Sequence, residues 1–137
     1  MTTDEVKAYL WQVHKLYEKL QREKDKLADI RSAVEYRSPA FGGSGSHSGG
    51  DKVGVAVTNI MEREQRVDDL SAAYTEKYNE VEQIIDRLDN DTLEELMELR
   101  YLRFFKWEKI AEDLGYTVRR VLQLHGRALQ KISLDFT

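Results

Sequence analysis

Val6, Val13, Leu20, Leu27 and Val34 recur at intervals of seven, and Ile60, Val67, Tyr74, Val81 and Leu88 repeat the pattern farther along the chain. A sustained seven-residue repeat keeps a narrow apolar seam on one side of a helix, the pattern of helices that wind around each other. Tyr9, Leu10, Leu16, Tyr17 and Ile30 widen the first stripe, and Leu70, Tyr78, Ile84 and Ile85 the second. Two long amphipathic helices are therefore expected. Glu23, Lys24 and Arg31 interrupt the first seam, a device that sets register. The repeat alone leaves open whether the seam closes within one chain or between chains.

Between the repeats, six of the eight glycines fall from Gly42 to Gly54, after the single proline, Pro39, and among Ser44, Ser46 and Ser48. Such small side chains bury too little apolar area to offset the entropy of ordering, so 38–54 reads as a flexible linker with His47 as a solvated loop residue. A phosphate-cradling loop would need a strand before it and Gly-Lys-Ser/Thr after it, and neither is present. The linker is long enough for the chain to turn back on itself.

Asp89-Asn90-Asp91-Thr92 ends the second repeat. Asp91 or Thr92 is expected to cap a third helix, because a short polar side chain can accept from an otherwise orphaned backbone N–H. Leu93, Leu96, Met97, Leu99 and Leu102 give that helix its apolar face, and shorter helices follow over Trp107 to Leu114 and Val118 to about Ile132. The expected fold is all-α: a long antiparallel helical hairpin or coiled coil followed by a small C-terminal helix-turn-helix domain. Its segments are an N-terminal helix at 1–37, the linker at 38–54, a second coiled-coil helix at 55–88 and the final domain at 89–137.

Catalytic constellations are missing from the sequence. It has no cysteine, which excludes disulfides, thiolate nucleophiles and sulfur-ligated zinc. His14, His47 and His125 lie far apart and form neither a His-Glu-x-x-His pair nor a Glu-x-x-His spacing, so no metal site is expected. Glu94, Glu95 and Glu98 could bring two carboxylates together for acid–base work, but a helix start favoured by the dipole explains them more simply. Neither Gly-x-Ser-x-Gly nor a nucleotide-binding glycine pattern occurs. The reading is therefore not an enzyme, and no cofactor is implied. Apolar runs such as Val55-Ala56-Val57 fall far short of the ~20 residues of a membrane span, and the first residues lack a secretory pattern, so no membrane partner and a cytoplasmic location are expected.

Charge is more informative when it is divided along the chain. The net charge of -4 over 137 residues conceals two unlike parts. From Arg100 onward eight cations face four acids, a net of +4, and the first 99 residues carry 13 cations and 21 acids, a net of -8. Tyr116 to Ile132 holds Arg119, Arg120, Arg127 and Lys131 and no acid. A polyanion would feel that field within a Debye length of ~8 Å at physiological salt.

The same stretch carries a helix–turn–helix spacing. Ala111 is small where two helices would cross closely, and Gly115 can take positive φ and end the first helix sharply. Thr117 can cap the second helix, and Val121 can pack back against Ala111. Ile110, Leu114 and Leu124 complete the apolar positions. In such a motif the second helix lies in the DNA major groove and the first crosses the backbone. Arg119, Gln123 and Arg127, spaced by four, stand opposite Val121, Leu124, Ala128 and Ile132. Arginine can bond guanine bidentately, glutamine can do so with adenine, and an apolar side chain can meet a thymine methyl. Alternatives exist for single residues: Arg120 could pair with Glu112 or Asp113, and His125 could be a partly buried filler.

Leu99-Arg100-Tyr101-Leu102, Trp107-Glu108-Lys109-Ile110-Ala111-Glu112-Asp113-Leu114-Gly115-Tyr116-Thr117 and Arg120 through Ile132 resemble region 4 of bacterial sigma-70 factors. The Trp-Glu-x-Ile-Ala form and the preceding helical arm look more like small sigma-like regulators of phages and prophages, including RinA-type and ArpU-type late-gene activators. Family members usually have Gly and then Ser or Thr before the first motif helix, where this chain has Phe104-Phe105-Lys106. Val118 and Leu122 stand where sigma factors are usually polar. The resemblance implies a DNA-binding transcriptional regulator with Thr117, Val118, Arg119, Leu122 and Gln123 facing the groove and Arg120, Arg127 and Lys131 near phosphates. Double-stranded DNA is the implied partner; the aromatic cluster of Tyr101, Phe104, Phe105 and Trp107 reads first as the small domain's core, with RNA polymerase contact there as the alternative the resemblance implies, and the seven-residue repeats allow a homodimer through the coiled-coil arm. Two other readings stay open: a phage small terminase subunit for DNA packaging, and a protein–protein module that binds no DNA.

Overall fold

The structure, a computed structural model, describes residues 1–41 and 48–136, with side chains placed at 1–35 and 54–136. Among the described residues all regular structure is helical: α1 Thr3–Phe41, α2 Ser48–Asp86, α3 Asp91–Met97, a π-helical turn at Glu98–Leu102, α4 Trp107–Leu114 and α5 Val118–Asp135. The helices thus reach farther than the linker expectation allowed, since 38–41 continue α1 and 48–54 begin α2. Residues 42–47, His47 included, lie outside the described residues.

Two compact units divide the chain, one made of Met1–Leu16 with Tyr74–Thr137 and the other of Tyr17–Ala73. This division cuts across the expected segments, because the first turns of α1 belong with the last helices. In the first unit Val6, Leu10 and Val13 of α1 are all at most 1% exposed and share one core with Val81, Ile85 and Leu88 of α2. Leu96 and Met97 of α3, Ile110 of α4 and Val121, Ala128 and Ile132 of α5 complete it. Polar ties run alongside. Tyr9 donates to Glu80 Oε2 at 2.6 Å, the same oxygen takes a hydrogen bond from Lys77 Nζ at 2.9 Å, and Ser133 Oγ donates to the Met1 carbonyl.

Within Tyr17–Ala73, Leu20 and Leu27 are buried, while Ile30, Val34, Ile60, Val67 and Leu70 are half-buried. Two of the residues that interrupt the first seam have partners on α2 of the same chain: Glu23 pairs with Arg63 at 3.4 Å, and Arg31 with Glu64.

Two local features depart from the expected third helix. Its cap is Asn90, whose Oδ1 accepts from Leu93 N at 3.0 Å, rather than Asp91 or Thr92, because the helix starts one residue early, at Asp91. The apolar run to Leu102 is also not one α-helix. Arg103 N donates to Glu98 O at 3.0 Å across a widened turn, Phe105 N reaches Leu99 O at 2.9 Å, and Phe104 between them takes φ 62°. That is the left-handed region, which disfavours a bulky side chain. Glycine normally costs more than alanine, but here the order should invert. Phe104→Gly is expected to be more stable than Phe104→Ala by about 1 kcal/mol, measurable by urea unfolding, although both lose the contact of the Phe104 ring with His14 at 4.7 Å.

Candidate nucleic-acid interface on α5

The interface is built from a turn upward. Gly115 ends α4 at φ 74°, ψ 31°. Tyr116 N donates to Ala111 O at 2.9 Å and Gly115 N to Glu112 O at 3.3 Å, the paired bonds of a Schellman cap. Thr117 then opens α5, its Oγ1 accepting from Arg120 N at 3.1 Å, so the hydroxyl is engaged in capping. Val121, Leu124, Ala128, Leu129 and Ile132 bury one side of α5 and leave the other to solvent.

Arg119, Arg120, Leu122, Gln123 and Arg127 are exposed, as is the Thr117 residue. Val118 differs from the other residues expected to face a groove. It is half-buried and packs against the core. Lys131 is exposed, but its Nζ donates to Leu88 O at 2.6 Å, which ties α5 to the carbonyl beyond the end of α2. Arg120 does not pair with Glu112 or Asp113; Asp113 instead holds Lys109 at 3.2 Å. Among the described residues no carboxylate lies within the 4.0 Å ion-pair distance of Arg119, Arg120 or Arg127.

Two neighbours fall outside the sequence-based set. Tyr116 is 42% exposed immediately before the cap, and Gln130 is exposed seven residues after Gln123, on the same side of the helix. The spacing signal for Gln130 was available, since residues seven apart on a helix share a face. Gly126 lies in the middle of this exposed side, and a β-carbon added there would meet nothing within 4 Å.

His125 and the aromatic cluster form the support beneath the interface. His125 is 6% exposed, and its Nε2 shares a hydrogen bond of 2.6 Å with the Tyr101 hydroxyl. Trp107 meets the imidazole edge-on at 4.7 Å. Burial holds the imidazole down, to about 4, with Lys7 and Arg100 acting in the same direction, and burial pushes the Tyr101 phenol up to about 12. Arg100 lies over the rings of both Trp11, at 4.9 Å, and Trp107, at 4.2 Å, and donates from Nη1 to Phe105 O at 3.0 Å. Burial lowers its pKa. These contacts connect the start of α1, the π turn, α4 and α5.

Of the three glutamates weighed for acid–base work, Glu94 and Glu95 lie within α3, and the half-buried Glu98 follows its last residue and opens the π turn. Its carboxyl is raised by burial first and by Asp86, Glu82, Glu94 and Glu95 after that. No helix of the described residues is long and apolar enough to cross a membrane. Compared with known proteins, the chain matches no family model, no curated protein and no solved structure.

Proposed function

We propose that the chain is a non-enzymatic, sigma-factor-like transcriptional regulator that reads promoter or operator duplex through α5 and contacts RNA polymerase. In this reading α4 and α5 act as a helix-turn-helix, and α1 and α2 form an antiparallel hairpin that closes within one chain. The observation that carries it is the two-sidedness of α5: exposed, acid-free Arg119, Arg120 and Arg127 with Gln123 on one side, and a buried aliphatic side beneath. A recognition helix needs both, a face for base edges and phosphates and a back that fixes its orientation. Leu122, 44% exposed beside Gln123, suits a thymine methyl. Exposed Val55, Val57 and Met61 on α2 favour self-association of the arm, which a measured mass in solution checks.

Binding to random duplex in a mobility assay should fall steeply as salt rises, because each phosphate contact releases counterions. On a site selected from genomic fragments, Arg119→Ala and Gln123→Ala should each lose about 1–3 kcal/mol of discrimination between bases. Arg127→Ala should instead weaken all sequences alike and lower the salt slope by about 1. Unchanged selectivity after both Arg119→Ala and Gln123→Ala overturns the assignment of α5. The absence of any duplex binding at low salt would leave the protein–protein reading, for which exposed Tyr116 and Leu122 are the contact residues.

A further inference from the structure

A second concentration of positive charge lies within Tyr17–Ala73. Lys19, Arg22 and Lys26 follow one another at helical spacing on α1, so they share a side of that helix. Together with Arg66, Asp69 and Leu70 of α2 they line an open groove of about 400 Å³. A second concavity of about 170 Å³, lined by Ile30, Asn59, Glu62 and Arg63, shares Arg66 with it.

The acids of this groove are already engaged. Glu23 is held by Arg63 at 3.4 Å and Lys26 at 3.8 Å, and Asp69 accepts from Gln65 Nε2 at 3.0 Å. Among the described residues no carboxylate lies within 4.0 Å of Lys19, Arg22 or Arg66. Lys19, Arg22 and Arg66, from two helices, therefore converge on one concavity with no ion-pair partner of their own, and its four cations outnumber its two acids, Glu23 and Asp69.

The unit as a whole supplies no such field, since its nine cations and ten acids nearly cancel. The attraction is local, confined to about a Debye length of ~8 Å. A compact anion carrying several charges suits that arrangement better than a duplex. A duplex backbone is drawn by a broad field and seats on protruding cations, whereas a small ligand is enclosed by walls. Paired guanidinium groups favour phosphate oxygens, which they can grip bidentately, and Leu70 with the lysine stems offers an apolar wall.

We propose that the groove between Lys19, Arg22 and Lys26 of α1 and Arg66 of α2 is a binding site for an oligophosphate, either an inorganic one or the phosphate chain of a nucleotide. The site is independent of DNA reading by α5 and stands or falls separately.

Calorimetric titration of the full chain at low salt with tripolyphosphate, and separately with ATP, tests it. One saturable site is expected for tripolyphosphate. Arg22→Gln with Arg66→Gln should weaken it about ten-fold or more, the loss expected when charge-assisted hydrogen bonds are removed. Arg22→Lys with Arg66→Lys should weaken it less than the glutamine pair, since the charge stays and only the bidentate grip is lost, and Arg119→Gln with Arg127→Gln on α5 should leave it unchanged. Competition by ATP assigns the nucleotide source, and tripolyphosphate binding without ATP binding assigns the inorganic one. Lack of saturable binding overturns the proposal, as does binding that survives the Arg22/Arg66 glutamine pair. A glutamine pair that weakens duplex DNA but not tripolyphosphate also overturns it, by making the groove a nucleic-acid contact.

Discussion

A chain beginning at Tyr17 is expected to lose the cooperative fold of residues 74–136, even though every residue of α3, α4 and α5 is still present. Val6, Leu10 and Val13 are each at most 1% exposed and stand in the same core as Ile85, Leu96, Ile110 and Val121. Trp11 meets Tyr101 edge-on at 6.1 Å and lies under the Arg100 guanidinium. Removing one buried aliphatic side chain typically costs about 2–5 kcal/mol, so three together approach the entire stability of an ordinary domain, about 5–15 kcal/mol. The truncation also leaves Arg100 facing solvent on the Trp11 side and the Ser133 hydroxyl without the Met1 carbonyl. Thermal melts followed by circular dichroism would check this on residues 17–137 and on residues 74–137. A sharp transition within a few degrees of the full chain in either fragment would show that the α1 turns are an accessory to this core. Leu10→Ala in the full chain gives the graded version, with an expected loss of about 2–5 kcal/mol.

That dependence on α1 marks where sequence patterns stop informing. Val6, Val13, Leu20 and Leu27 are all buried, as their spacing requires, but Ile60, Val67 and Tyr74 of the second repeat are only half-buried. A seven-residue repeat states which side of a helix is apolar; it does not state how many helices cover that side. Near Val6 and Val81, α3, α4 and α5 complete the enclosure, and that is a long-range fact. The partners of Glu23 and Arg31 lie about forty and thirty residues away along the chain, so they too were beyond local patterns. Gly115 and Thr117 were legible because a left-handed turn and an N-cap are decided within a few residues. In Asp89-Asn90-Asp91-Thr92 every residue can cap, so composition could not choose Asn90. The π turn and the positive φ of Phe104 had no sequence signal, since a bulky residue argues against the conformation it adopts. Val118, groove-facing only by the family resemblance, is half-buried against the core, a contact with distant residues that no local pattern states.

Acid should weaken the fold through one residue beneath the interface. The His125 imidazole, pushed down to about 4 by burial with Lys7 and Arg100 adding to it, has an ordinary value of 6.5 in the unfolded chain. Between those values the unfolded chain takes up a proton that the native protein refuses. Stability is therefore present in full above about pH 6.5 and is lost progressively as pH falls toward 4, by about 3 kcal/mol in all. Glu98 works in the opposite sense. Its raised carboxyl makes folding gain as pH falls just above the ordinary carboxylate range, so the wild-type curve alone mixes the two. His125→Gln removes only the imidazole contribution. Urea unfolding of both proteins between pH 7.5 and 4.5 should show the wild type losing more stability than the variant by most of that difference, and parallel curves would mean that His125 is not what titrates. The loss bears on function because His125 sits on α5 and meets Tyr101 of the π turn and Trp107 of α4. If α5 reads duplex from a back fixed by those contacts, acid should reduce sequence discrimination in the same window in which it reduces stability, and His125→Gln should remove both effects together.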